Sequence, residues 1–311
     1  MSDLRSPIAA FLRKQRFLVL DGGLATELEG QGLDLLDPLW SAKALIECPD
    51  RIRSVHLDYL RAGADVVTTA SYQATIPGLM ARGLTAASAA RTIRSSVDLA
   101  KQARDEFLAG GAAPRLPPLI AGSIGSYGAY LHDGSEFRGD YRRTEREFKA
   151  FHRPRLEQLV EAGADLIACE TMPSRREVAA LVDLIDARGD TSAWVSFTAR
   201  DEEAICDGSL FADCVAELAR ASAIVAVGLN CTPVERIAPL LERAGAAARQ
   251  PFVVYPNAGG TFEAKTGQWI GDPHAETIPG AAARWYELGA RMIGGCCRTG
   301  PRTIEAIRAN R

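Results

Sequence analysis

Three features of the sequence predict an α/β fold, a single (β/α)8 barrel with parallel strands. A phrase recurs three times, about eight short apolar runs alternate with helix-length segments, and unusual polar or glycine chemistry follows every run. The phrase Arg61-Ala62-Gly63-Ala64-Asp65-Val66-Val67 returns as Glu161-Ala162-Gly163-Ala164-Asp165-Leu166-Ile167 and, more loosely, as Leu288-Gly289-Ala290-Arg291-Met292-Ile293. Each copy reads as a helix stopped by glycine and followed at once by a buried strand.

The apolar runs fall near Phe17–Leu20, Asp65–Thr69, Leu119–Ala121, Asp165–Cys169, Ala193–Phe197, Ile224–Gly228, Phe252–Tyr255 and Met292–Gly294. They are apolar throughout rather than alternating, as in parallel strands covered on both sides. Between them, Ile52, Val55 and Tyr59, and Leu156, Leu159 and Val160, have helical spacing. Ser6-Pro7 ahead of Ile8, Phe11 and Leu12 predicts an N-cap and first-turn proline for a short leading helix. Gly110 to Pro118 is a connector into the third strand, and no domain boundary is evident across residues 1–311.

An open, doubly wound sheet would also use such elements, but it binds ligands mainly at one switch point. Here every strand end carries unusual chemistry: Asp21-Gly22-Gly23, Thr69-Ala70-Ser71-Tyr72, Gly122-Ser123-Ile124-Gly125, Glu170-Thr171, Thr198-Ala199-Arg200, Asn230-Cys231-Thr232-Pro233, Pro256-Asn257-Ala258-Gly259-Gly260 and Gly295-Cys296-Cys297-Arg298. A barrel brings all of these to one face. Two long loops, Tyr127 to about Thr144 and Asn257 to about Pro279, should overhang that face as lids.

A formal net charge of −3 gives no reason to expect a nucleic-acid partner or an anionic membrane surface. No basic-then-apolar leader opens the chain and no apolar run nears the ~18 residues of a membrane span, so a cytoplasmic location is expected. Seven cysteines without regular spacing do not form a secreted disulfide framework.

Cys231 ends the sixth strand and Cys296-Cys297 the eighth, so the barrel delivers three thiols to one mouth. Two adjacent ligands require the backbone to leave strand geometry, a freedom expected from Gly294-Gly295. Three thiolates with one open position fit a catalytic zinc, which would deprotonate a substrate thiol placed there. Cys48, Cys169 and Cys214 read as structural, and Cys206 fits either role. The histidines do not build a metal site: His56 shares a helix face with Ile52 and Tyr59, and His132 and His274 lie in the two long loops.

These motifs resemble the homocysteine S-methyltransferase family along essentially the whole chain. The resemblance rests on Asp21-Gly22-Gly23 with Thr26-Glu27-Leu28, Gly122-Ser123-Ile124-Gly125 with Tyr127-Gly128-Ala129, Asp133-Gly134-Ser135-Glu136, Gly228-Leu229-Asn230-Cys231-Thr232, and Gly294-Gly295-Cys296-Cys297-Arg298. Ser126 departs from it, standing where relatives commonly have proline. The resemblance implies a homocysteine-binding barrel with Zn2+ on Cys231, Cys296 and Cys297, and acidic residues at Asp21 and Glu170 for the homocysteine amine. Carboxylates suit an ammonium taken out of water, and the Gly22 and Gly23 amides are candidates for the substrate carboxylate.

Leu39-Trp40-Ser41-Ala42-Lys43 and Thr69-Ala70-Ser71-Tyr72-Gln73-Ala74-Thr75 resemble the branch that uses S-methylmethionine. Thr171 after Glu170, where betaine-using relatives have tyrosine, counts against betaine. Trp40, Tyr72 and Tyr127 are candidate aromatic walls for a sulfonium, and Asn257 joins them as a candidate substrate contact. The expected reaction is methyl transfer from S-methylmethionine, or from S-adenosylmethionine, to homocysteine to give methionine. The alternatives are a vicinal-cysteine redox enzyme and a non-catalytic homocysteine or zinc-binding protein.

Overall fold

The computed structural model describes residues 6–111, 116–263 and 268–311, the side chains of Thr261 and Gln268 aside. The middle of the Gly110–Pro118 connector and residues 1–5, part of the leader reading, lie outside them. Eight parallel strands run round a barrel: β1 (Leu18–Val19), β2 (Val66–Thr68), β3 (Leu119–Ile124), β4 (Leu166–Met172), β5 (Ala193–Phe197), β6 (Ile224–Asn230), β7 (Phe252–Tyr255) and, last in the chain, β10 (Ala290–Ile293). The remaining two, β8 (Thr261–Glu263) and β9 (Gln268–Ile270), pair with each other as an antiparallel hairpin. In space the barrel order is β1-β10-β7-β6-β5-β4-β3-β2. The Leu20–Val66 bridge, with Asp21 N–H on the Val66 carbonyl at 3.1 Å, draws β2 back to β1.

The repeated phrase does what its residues dictate. Gly63, Gly163 and Gly289 take the left-handed backbone, with φ of 109°, 82° and 104°, the conformation that ends a helix at least cost in glycine. The aspartate after the first two copies then holds the neighbouring strand. Asp65 accepts from Val19 N at 2.9 Å, and Asp165 accepts from Ile120 N at 2.8 Å.

Alternate side chains divide the core into two shells. Leu18, Leu20, Val66, Ala121, Leu166, Ala168, Trp194, Ala226, Val253 and Met292 fill the barrel, joined by Ile8 and Phe11 from the leading segment. The opposite faces, Val19, Val67, Ile120, Ile167, Cys169 and Val195 among them, pack under the surrounding helices. The leading helix, Ala9–Leu12, starts later than expected, and Ser6 caps it through its carbonyl on Ala9 N at 3.0 Å rather than its hydroxyl, which is buried without a partner.

Strands β3, β4 and β6 outrun their apolar cores and carry Ser123, Glu170 and Asn230 within the sheet. The register of β4 against β5 shifts between Cys169 and Met172, and Thr171 sits at φ 54°. Such a bulge re-aims the side chains beside it, here Glu170 at the end of the barrel interior. Cys169, one residue earlier, lies in the outer shell.

Candidate active site

A cavity of about 640 Å³ opens at the C-terminal ends of the strands. Its floor carries Asp21, Thr68, Ser123, Glu170, Tyr255 and the three cysteines, and its walls carry Trp40, Tyr72, Gln73 and Thr26. The two long loops form the roof. The first supplies His132, Gly134, Glu136 and Phe137, and the β8–β9 hairpin supplies Phe262 and Trp269. The two halves of the roof meet where the Phe137 and Phe262 rings lie 5.8 Å apart.

Among the described residues, five other than glycine have positive φ: Trp40, His132, Thr171, Cys231 and Arg298. All five line this cavity. Backbone strain of this kind persists only where the surroundings enforce it, and it gathers at functional sites.

The sulfurs of Cys231, Cys296 and Cys297 lie within 4.8 Å of one another, with Cys231 and Cys297 at 3.6 Å. Tetrahedral ligands at a zinc–sulfur distance of about 2.3 Å stand roughly 3.8 Å apart, so the cluster fits that ion. No other cysteine, histidine or carboxylate joins the group among the described residues. Thiol donors from Cys231 and Cys297 push Cys296 well below the ordinary thiol range. The Asn230 amide also donates to the Cys296 sulfur at 3.8 Å while bonding Thr171 Oγ1 at 2.7 Å.

The glycines before the cysteine pair serve a purpose other than the one expected. Neither has positive φ. A Cβ on Gly294 would come within 2.6 Å of Leu20 Cβ, and one on Gly295 within 2.3 Å of Thr299 Oγ1. They let the cysteine turn press against β1 and its own continuation, while the left-handed residue is Arg298. Gly22 and Gly23 are confined likewise, and the Gly23 amide is already given to the Thr299 carbonyl at 3.0 Å. It is therefore not free for a substrate, whereas the Gly22 amide has no backbone partner among the described residues.

Asp21 accepts from Thr68 N at 2.7 Å and from Thr68 Oγ1 at 3.0 Å. Burial raises its carboxyl to about 7 against the pull of those bonds, with Cys296 adding to the rise. Burial likewise lifts Glu170 to about 8, although Ser123 Oγ donates to it; Cys296 and Asp21 push the same way. Two buried carboxyls met by neutral donors and no cation, beside a sulfur cluster, form a site short of positive charge.

Two expected contacts lie elsewhere. Tyr127 is not in the cavity lining but in an aromatic cluster with Tyr130, Tyr141, Phe148 and Phe151, under the Arg143 guanidinium. It starts a short helix, Tyr127–Leu131, capped by Ser126 Oγ accepting from Ala129 N at 3.1 Å. Asn257 is also outside the lining, its Oδ1 accepting from Gly259 N at 3.0 Å to fold the turn ahead of the hairpin. Trp40 and Tyr72 do line the cavity, edge to face at 6.0 Å.

Other contributors were missed. Asn230 stands directly before a cysteine, which was the available signal. Arg155, wholly buried in helix Glu145–Glu161, donates to the Tyr72 carbonyl at 2.7 Å and to the Gly125 carbonyl at 2.5 Å, fixing two strand-end loops at once. Nothing local in the sequence marks it.

The family model for homocysteine S-methyltransferase matches residues 18–311. This chain belongs to the homocysteine S-methyltransferase family. The homocysteine S-methyltransferase YbgG of Bacillus subtilis (strain 168) is 49% identical over 98% of this chain and 97% of its own length. The homocysteine S-methyltransferase of Escherichia coli (strain K12) is 48% identical over 98% of each. Among solved structures, the metallated form of the E. coli homocysteine methyltransferase MmuM superposes with a TM-score of 0.89 at 48% identity, over 98% of this chain and all of that one. Membership decides between the alternatives left open by the cysteines: the protein is a methyltransferase.

Proposed function

We propose that this homocysteine S-methyltransferase uses Zn2+ held by Cys231, Cys296 and Cys297, takes its methyl group from S-methylmethionine or S-adenosylmethionine, and works as one barrel domain over residues 1–311 in the cytoplasm. The observation that carries the reading is the meeting of three sulfurs and two buried carboxyls on the floor of one cavity. No described helix is long and apolar enough to cross a membrane.

Zinc, when bound, supplies a Lewis acid that keeps a thiol deprotonated at neutral pH. The chain does the rest by positioning. Asp21 and Glu170, three strands apart round the barrel, accept the ammonium of homocysteine, whose arrival supplies the positive charge both carboxyls lack. Trp40 and Tyr72 offer ring faces to a sulfonium. A roof closed over bound substrates would exclude water, which weakens every charge interaction beneath it. As the homocysteine sulfur forms its new bond to the methyl carbon, the old bond breaks and its electron pair stays on the donor sulfur. A cation thereby becomes a neutral thioether, and the products are methionine and the demethylated donor.

The test is methionine formation by zinc-loaded protein from homocysteine with S-methylmethionine, S-adenosylmethionine or betaine supplied separately. Turnover with a sulfonium, abolished by chelation and restored by Zn2+, is expected. Silence with both sulfoniums despite bound zinc would overturn the reading.

A further inference from the structure

The motif Asp133-Gly134-Ser135-Glu136 has so far been given no task. It forms a short 3-10 turn in the first roof loop, Ser135–Phe137, and brings Glu136 into the lining of the cavity that also carries Trp40, Tyr72 and Phe137. Glu136 Oε2 is shut off from solvent and has no hydrogen-bond partner among the described residues. The cation that acts on it, Arg138, is engaged elsewhere, pairing with Asp140 at 3.1 Å and donating to the Asp133 carbonyl at 2.8 Å. A buried acceptor left unpaired costs free energy unless a ligand completes it. Burial accordingly lifts its carboxyl to about 7, with Asp133 pushing the same way.

The reaction brings two amino acids into one cavity, and each has an ammonium. Asp21 and Glu170 on the floor serve the one whose sulfur meets the cysteines. A sulfonium has no N–H to offer, so aromatic faces can satisfy it, but the donor's own ammonium needs an acceptor. Glu29, the other carboxylate on the wall, is exposed and can be satisfied by water. Burial raises the Tyr72 hydroxyl, and Glu136, Cys231 and Glu170 push the same way, so Tyr72 lies near both the roof carboxylate and the floor.

We infer that Glu136 is the donor-specificity residue, its carboxylate accepting the α-ammonium of the sulfonium amino acid while Trp40 and Tyr72 face the sulfonium. The inference rests on the sulfonium-donor reading above. It assigns separate carboxylates to the two substrates, so the two Michaelis constants should respond to different residues.

Steady-state kinetics on Glu136→Gln test it. The KM for S-methylmethionine should rise roughly 10- to 100-fold, the loss of one charge-assisted bond, while the KM for homocysteine stays within about twofold of wild type. Glu136→Asp, which keeps the charge but shortens the reach, should fall between. A dimethylsulfonium carboxylate lacking the amine should be a poor donor for both proteins and equally poor for each. An unchanged donor KM in Glu136→Gln, beside a wild type that turns over, overturns the inference and leaves the donor reading intact. A wild type silent with every sulfonium removes both.

Discussion

The two ends of the barrel are made of the same strands and could hardly be more different. At the N-terminal end, Ile8 and Phe11 close the interior with apolar contacts, and Asp65 is answered by Val19 N, Gln15 and Arg311, the last two at 2.8 and 2.9 Å. At the C-terminal end, all five of the described positive-φ residues other than glycine gather round buried carboxyls raised by desolvation and sulfurs packed closely together. One end stabilises the fold, and the other draws on that stability to hold groups in arrangements they would not choose. Substitutions at the two ends should therefore separate stability from chemistry.

The largest separation is expected at the cysteines. Cys297→Ser should lose bound zinc and at least about a thousandfold in activity, since the thiol acceptor loses its activation, yet keep the circular dichroism of the folded barrel. Metal analysis beside a rate assay checks it, and full activity in a zinc-free variant would sink the mechanism. At the opposite end, Phe11→Ala should cost about 3 kcal/mol in urea unfolding, with the rate per folded molecule unchanged. A loss of rate at full folding would show that the plug also shapes the mouth.

If Glu170 holds the homocysteine ammonium as proposed, Glu170→Gln should raise the KM for homocysteine roughly 10- to 100-fold and leave the donor KM alone. The smallest effect probes an exception to the contrast. His56 is fully buried in helix Pro49–Ala62, away from the cavity lining, with neither ring nitrogen partnered among the described residues. Burial lowers it to about 4. The unfolded chain then binds the extra proton between about pH 6.5 and 4, so stability is complete above that window and declines as pH falls through it, by up to about 1.4 kcal/mol per unit. His56→Leu should flatten that slope and leave stability at pH 7 equal or higher by about 1 kcal/mol. Equal slopes in the two proteins would mean that His56 has a partner in solution.

The barrel was legible because its signals are local and repeated. A glycine that ends a helix and an aspartate that anchors a neighbouring strand leave the same trace wherever the unit recurs, as at Gly63-Ala64-Asp65 and Gly163-Ala164-Asp165. The cysteines were legible because topology alone brings the ends of β6 and β10 to one mouth. What the sequence concealed depends on side-chain direction. Tyr127 and Asn257 occupy strand-end loops, yet one turns into an aromatic cluster and the other folds its own turn. Arg155 serves the cavity from a helix in the outer layer, a link that exists only in three dimensions. Gly294 and Gly295 were legible as necessary, but for conformational freedom rather than for the crowding that demands them.

Arg298 follows the cysteine pair and holds both ends of the hairpin segment, donating to the Gly259 carbonyl at 3.0 Å and the Gly271 carbonyl at 2.8 Å, with Trp269 beneath its guanidinium at 6.0 Å. One side chain thus acts as a rivet for the whole flap. Neither Gly259 nor Gly271 can leave the cavity rim without breaking a bond to the same guanidinium, so the residue next to the cysteine pair ties the described ends of the hairpin segment to the floor.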